Sequence, residues 1–202
     1  RDWHLNKKSN QETGYSTDLI ASAASNFILK HSKEEEPFFC YVPFNSPHSP
    51  FQAPEKYIKK FQHLAGLNSK GKNKSLRQVV AAMVSCMDDG IGKILKAIDT
   101  SGEADNTIVW FFSDNGGIGG LQKNNLPLRG NKLDVWEGGV RVAAAIRWPN
   151  GGVKGGLKIS VPLSCIDVCP TLINVSGGND VSSGNKAFDG CDVLDILKGN
   201  FR

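Results

Sequence analysis

Apolar residues recur at two spacings along the chain, and those spacings predict its elements. Leu76, Val80, Met83, Met87, Ile91, Leu95 and Ile98 share one helical face, which predicts a long helix over 75–100 with Gly102 as its stop. An earlier helix is predicted to start near Ser16 and Thr17, both good N-caps, with Asp18 in its first turn. Ile20, Ala24, Phe27 and Ile28 then follow at helical spacing. Continuous apolar runs predict buried strands over 38–42, 107–112 and 140–146, with a further strand near 157–162. Short helices are predicted near 166–175, with Asp167 as a cap, and near 192–198. Residues 1–15 are polar and read as irregular, 43–54 form a proline-rich loop, and a glycine- and asparagine-rich loop runs to about 138. The tail over 177–202 is loop-rich. Apolar strands separated by amphipathic helices indicate an α/β fold, a sheet covered by helices on both faces.

The 202 residues suffice for one domain with a core, and 40% hydrophobic with 22% charged residues suits a soluble globular protein. A net charge of +4, from 24 basic and 20 acidic residues, is too mild to indicate a nucleic-acid partner. The basic residues are scattered, apart from a polar stretch at 69–77 that reads as a solvated loop. No apolar run approaches a membrane span. The chain opens on Arg1-Asp2-Trp3-His4, which is neither an initiating Met nor a signal peptide, and is expected to be part of something longer.

Of the five cysteines, four lie in apolar segments, where a buried free thiol is the commoner reading; their spacing does not suit zinc. Asn73-Lys74-Ser75 and Asn174-Val175-Ser176 are glycosylation sequons, with meaning only in the secretory pathway.

Three groups of residues carry candidate chemistry. Asp114-Asn115-Gly116-Gly117 follows an apolar strand, where ligand sites form in α/β sheets. Its Asp and Asn offer hard oxygens suited to calcium or magnesium, although Asp-Asn-Gly is also a favoured turn. His48 sits between Pro47 and Pro50, which stiffen its loop; held there it can donate to an anionic oxygen or protonate a leaving group, or be a plain surface histidine. Lys132, in Leu128-Arg129-Gly130-Asn131-Lys132, is a compact cation suited to an anionic substrate, and Arg129, Glu137 and Arg141 are candidates for an ion-pair shell around it. The plainer reading of that stretch is a solvated loop with balanced charges.

Taken in order, Pro47-His48-Ser49-Pro50, Ser113-Asp114-Asn115-Gly116-Gly117, Leu128-Arg129-Gly130-Asn131-Lys132 and Glu137-Gly138-Gly139-Val140-Arg141 resemble the sulfatase family. Gly14 to Leu19, Met83 to Asp88 and Asp167 to Leu172 fit the same pattern. Phe188-Asp189-Gly190-Cys191-Asp192-Val193 is similar to the arylsulfatase B, or N-acetylgalactosamine-4-sulfatase, branch.

The resemblance implies a partial alkaline phosphatase-like sandwich with a mixed sheet, the C-terminal portion of a catalytic domain over 1–202. It implies hydrolysis of sulfate esters, sulfated glycans among them, by a formylglycine nucleophile made from the cysteine of a C-x-P-S-R segment. It implies calcium, with magnesium fitting less well, bound in part by Asp114 and Asn115. His48 matches the histidine that contacts the ester and assists the leaving oxygen, and Lys132 the lysine on the same group. A lysosomal or extracellular location would follow. The departures are plain: none of the five cysteines is followed by x-Pro-Ser-Arg, and Asp2 stands where the family's lysine precedes Trp-His-Leu, so His4 reads as a surface residue. An inactive remnant that binds anions and a related phosphoesterase are the competing readings. As it stands the chain is expected to bind metal weakly, not to turn over, and to leave edge strands and apolar helix faces exposed.

Overall fold

A computed structural model describes residues 3–65, 75–119, 121, 124–178 and 187–200. In chain order the elements are β1 (His4–Leu5), β2 (Lys8–Ser9), α1 (Ser16–His31), α2 (Glu55–Lys60), α3 (Leu76–Ser101), β3 (Val109–Phe112), α4 (Glu137–Val140), β4 (Ala144–Arg147), α5 (Val168–Val175) and α6 (Leu194–Leu197). They fall into two compact units: residues 1–103 with 115–141, and residues 104–114 with 142–202.

The first unit is built on α1 and α3. The apolar stripe of α1 buries Ala21, Ala24 and Ile28, and that of α3 buries Ala82, Met83, Cys86 and Ile98. Small residues allow the two helices to approach closely: a Cβ on Gly90 would lie 3.2 Å from that of Ala21. Lys93 reaches Asp18 at 3.6 Å across the same helix pair. Ser75 caps α3 by accepting from the Gln78 amide at 3.1 Å, and Gly102 ends it in the left-handed region at φ +83°. Tyr57 and Ile58 of α2 complete a core with Ala82 and Cys86. Burial, followed by a 2.8 Å hydrogen bond donated to Asp89, raises the Tyr57 hydroxyl above its ordinary range. Burial likewise pushes the Cys86 thiol up, which keeps it in the unreactive form.

Several sequence expectations need correction here. Ser16 and Thr17 lie inside α1 rather than capping it; Tyr15 is the N-cap, and its hydroxyl donates to Gln52 O at 2.9 Å. Residues 1–15 are not wholly irregular, because β1 and β2 pair antiparallel through a two-residue turn in which Asn6 takes φ +56°. His4 is exposed on that hairpin. The segment 38–42 is extended but joins no ladder among the described residues. Its side chains alternate, with Phe39 and Tyr41 74% and 75% exposed, as an extended chain dictates whether or not a neighbouring strand is present. The segment is fastened instead to the helices: the Phe38 ring meets Phe27 edge-on at 6.1 Å, and the buried Ser46 hydroxyl donates to Met83 O at 3.1 Å. The solvated loop expected over 69–77 lies largely outside the described residues, as does Asn73.

In the second unit β3 and β4 form an antiparallel ladder, from Val109 opposite Arg147 to Phe112 opposite Ala144. Phe111 and Phe112 are exposed, not buried: successive side chains point to opposite faces of the ladder, and neither face is fully covered at this end. The strand expected over 140–146 is shifted: Glu137 to Val140 close a helical turn, and pairing starts only at Ala144. Residues 157–162 make no ladder among the described residues; the run ends at Pro162, which has no N–H to donate.

Asp167 stands at the N-cap position of α5, as expected, but makes no side-chain capping bond to that helix. Its carboxylate accepts from Ser164 N at 2.7 Å and Cys191 N at 3.0 Å, closing a capping box and pinning the late segment that leads into α6. Those two backbone donors hold its carboxyl below the usual range. A depressed folded-state value means stability that is present above the unfolded value, about 3.9, and is lost as pH falls through the folded one. Asp167→Asn is therefore expected to lower unfolding free energy by about 2 kcal/mol at pH 7. The gap to wild type should narrow as pH falls below the ordinary carboxylate range and the carboxylate protonates; urea titrations at neutral and at acid pH check this.

Of the cysteines only Cys86 is buried, whereas Cys165, Cys169 and Cys191 are exposed and all five are free. The short 3-10 turn Cys165–Asp167 and α5 bury one side only, so apolar neighbours in sequence do not guarantee burial. Asn174 of the second sequon is exposed at the end of α5, its amide donating to Asp192 at 2.6 Å. No helix among the described residues is long and apolar enough to cross a membrane.

Candidate active site

His48 is presented by the loop that follows the extended segment. Its backbone N–H donates to Asn45 O at 2.8 Å, and its Nδ1 lies 2.8 Å from Ser49 O. A carbonyl oxygen only accepts, so Nδ1 carries the proton in that bond, and Nε2 is the atom through which the ring engages anything beyond its own loop. The Ser49 hydroxyl lies 3.3 Å from the same Nδ1.

Asp114 is the exposed residue that ends the second unit two positions beyond β3, and Asn115 begins the returning stretch of the first unit. The Asn115 side-chain amide nitrogen donates to Gly116 O at 3.0 Å, which tells the nitrogen and oxygen of that carboxamide apart.

The loop from Asn115 is interlocked with the one carrying Lys132. Gly116 N donates to Gly139 O at 2.8 Å, Lys132 N to Gly117 O at 2.9 Å, and Gly138 N to Arg129 O at 2.6 Å. Backbone meets backbone where glycines stand: a Cβ on Gly116 would lie 1.8 Å from Gly138 O, and one on Gly138 2.2 Å from Gly130 O. The Asp-Asn-Gly-Gly and Glu-Gly-Gly patterns are thus required by close approach as well as by turning. Lys132 is held next to Asn131, whose N–H donates to Asp134 at 2.8 Å.

The structure thus joins Asn115 and Lys132 in one loop assembly, while His48 is fixed by its own loop. Only part of the expected ion-pair shell forms. Arg141 meets Glu137 at 2.9 Å on the surface, whereas Arg129 stacks on the Trp136 ring at 3.8 Å, where the planar guanidinium gains a cation–π contact. Sequence reasoning passed over Asn125, whose side chain bridges the two loops; an Asn in a glycine-rich loop has no signal distinguishing it from a turn residue.

Among the described residues no group of three or more His, Cys, Asp or Glu side chains is placed to hold a metal ion. Calcium takes about six to eight oxygens; the oxygens of Asp114 and Asn115 are of the hard type that fits such an ion, and two residues are too few to fill its shell.

Comparison with known proteins agrees with the motif pattern. Arylsulfatase J of Mus musculus is 30% identical over 188 residues, covering 93% of this chain and 29% of that protein. Steryl-sulfatase of Rattus norvegicus is 30% identical over 200 residues, covering 94% and 31%. Equal identity to differently named members establishes the family and not a branch within it. The crystal structure of Ps i-CgsB in complex with k-i-k-neocarrahexaose superposes with a TM-score of 0.84 at 35% identity, over 96% of this chain and 41% of that one. The α/β fold is therefore that of the alkaline phosphatase-like sulfatases. The chain spans about a third of the length of these curated relatives. Residues 1–178 match the sulfatase family as a whole, and the chain belongs to that family.

Proposed function

We propose that the protein carrying this chain hydrolyses sulfate esters, with Lys132 and His48 acting on the ester and Asp114 and Asn115 contributing to a calcium site. The observation that carries the reading is the 2.9 Å hydrogen bond from Lys132 N to Gly117 O, which ties the lysine to the loop that begins with Asn115. A lysine and the Asn115 carboxamide on one loop assembly suit a metal-bound anionic group whose charge grows in the transition state. Lys132 would donate its ammonium protons to a sulfate oxygen. His48, with Nδ1–H engaged by Ser49 O, would deliver a proton from Nε2 to the departing alcohol oxygen. Calcium, bound by these residues with others, would supply charge neutralisation at the sulfate oxygens. The proposed nucleophile is a formylglycine outside these 202 residues, since none of the five cysteines stands in C-x-P-S-R.

Family membership and the oligosaccharide held by the 35% identical neighbour support a sulfated glycan as substrate. The late Phe-Asp-Gly-Cys-Asp-Val stretch supports the arylsulfatase B branch, and with it a lysosomal or extracellular location.

The test compares turnover of an aryl sulfate and an aryl phosphate by the full-length protein. Sulfate turnover that stops with a chelator and returns with calcium is expected. Preference for phosphate would replace the reading with a phosphoesterase, and sulfate binding without turnover with an inactive remnant. Asp114→Ala is expected to weaken calcium binding and lower activity together. Calorimetric titration of the metal beside the rate checks the pairing; loss of activity at unchanged calcium affinity would remove Asp114 from the metal site.

A further inference from the structure

We infer that Asn125 is a positioning residue that sets the spacing between Lys132 and Asn115; the inference rests on the roles proposed above for those two residues. Its side-chain oxygen accepts from Gly117 N at 3.0 Å. Its amide nitrogen donates to Gly117 O at 3.1 Å, Gly130 O at 3.0 Å and Asn131 Oδ1 at 3.2 Å. The orientation of the amide is forced by its partners, because a backbone N–H can face only the oxygen and backbone carbonyls only the nitrogen. Two amide hydrogens serve three acceptors, so one of these bonds is shared.

The partners define what the side chain does. Gly117 lies two residues after Asn115, and both of its backbone polar groups are held: the N–H and C=O by Asn125, and the C=O also by Lys132 N. Gly130 and Asn131 directly precede Lys132. One carboxamide thus spans both loops at the points nearest the two groups that would meet metal and ester. A Cβ on Gly117 would come within 2.2 Å of Asn124 Nδ2 and 2.9 Å of Asn125 Oδ1, so the glycine makes room for both side chains. Without the side chain, the bonds from Lys132 N to Gly117 O and from Gly116 N to Gly139 O still join the two loops, and neither reaches Gly130 or Asn131.

The experiment measures kcat and KM for an aryl sulfate on the full-length protein. Asn125→Ala is expected to lower kcat about 10- to 10²-fold with a much smaller change in KM, as for misplacement of a reacting group by a fraction of an ångström or more. Asn125→Asp has the same shape, keeps the oxygen that accepts from Gly117 N and loses the donations to the carbonyls. It is expected to show the same split, and it keeps the test open should the alanine variant not fold. The deciding measurement repeats both substitutions in a Lys132→Ala background. A residue that acts through the lysine should then cost less than about threefold more. Equal fold losses in both backgrounds, accompanied by a fallen Tm, would make Asn125 a structural tie only and overturn the inference. If Asn125→Ala and Asn125→Asp turn over like wild type while Lys132→Ala is crippled, the inference alone falls. If Lys132→Ala itself turns over normally, the reading of the site falls and takes the inference with it.

Discussion

Lys132→Ala is expected to lower sulfatase turnover by about 10²–10³-fold, the loss typical of one donor aimed at developing negative charge. The side chain ends in a compact ammonium, whereas the backbone beneath it is fixed by Gly117 O and by the neighbouring Asn131–Asp134 turn. Truncation should therefore leave the loop intact while removing the charge. Lys132→Arg is the useful companion. Its guanidinium keeps the charge but spreads it over a larger planar fork, so partial activity is expected rather than full rescue. Tm should stay within a few degrees for both variants, because the lysine is only partly buried. Near wild-type turnover by Lys132→Ala would remove the residue from the mechanism.

The second large effect is expected from a single methyl group. Gly116→Ala would place a Cβ 1.8 Å from Gly138 O, where the obstacle is backbone and no side-chain rotation relieves the clash. The loops must separate by about 1.5 Å to restore normal contact, and misplacement on that scale costs about 10²-fold in rate. Overpacking should also cost about 1–3 kcal/mol of stability. Gly92→Ala in α3 is the control. Nothing lies within 4 Å of its added methyl, and Ala is the better helix former by about 0.5–1 kcal/mol, so stability should rise slightly with activity unchanged. Thermal unfolding and kcat/KM of the two variants separate close approach from a general intolerance of substitution at glycine. A Gly116→Ala protein with normal rate and Tm would mean that the two loops do not interlock.

These predictions divide along the line between local and long-range information. The apolar stripes of α1 and α3, the stop at Gly102 and the short α5 were legible in sequence, because helical bonding is local and periodicity reports the buried face directly. Strands were legible only as extended segments. Phe38 to Val42 has the composition of a strand and its alternating exposure, but a ladder needs a second chain segment at hydrogen-bonding distance, and nothing in the apolar run specifies one. The same gap explains the shift of β4: register with β3 and the packing of Gly138 and Gly139 decided where pairing begins.

At the site, residue chemistry was determined by sequence alone: a hard-oxygen pair at Asp114 and Asn115, an imidazole at His48 and an ammonium at Lys132, in the order shared with the sulfatase family. Only the tertiary structure decided how Asn115 and Lys132 come onto one loop assembly, which nitrogen of His48 is committed to its own loop, and that Arg129 stacks on Trp136 instead of joining an ion pair. The physical reason is that functional-group identity is carried by each residue alone. Their spacing depends on contacts between backbones far apart in sequence, made through Asn125 and glycines that carry no chemical signal of their own.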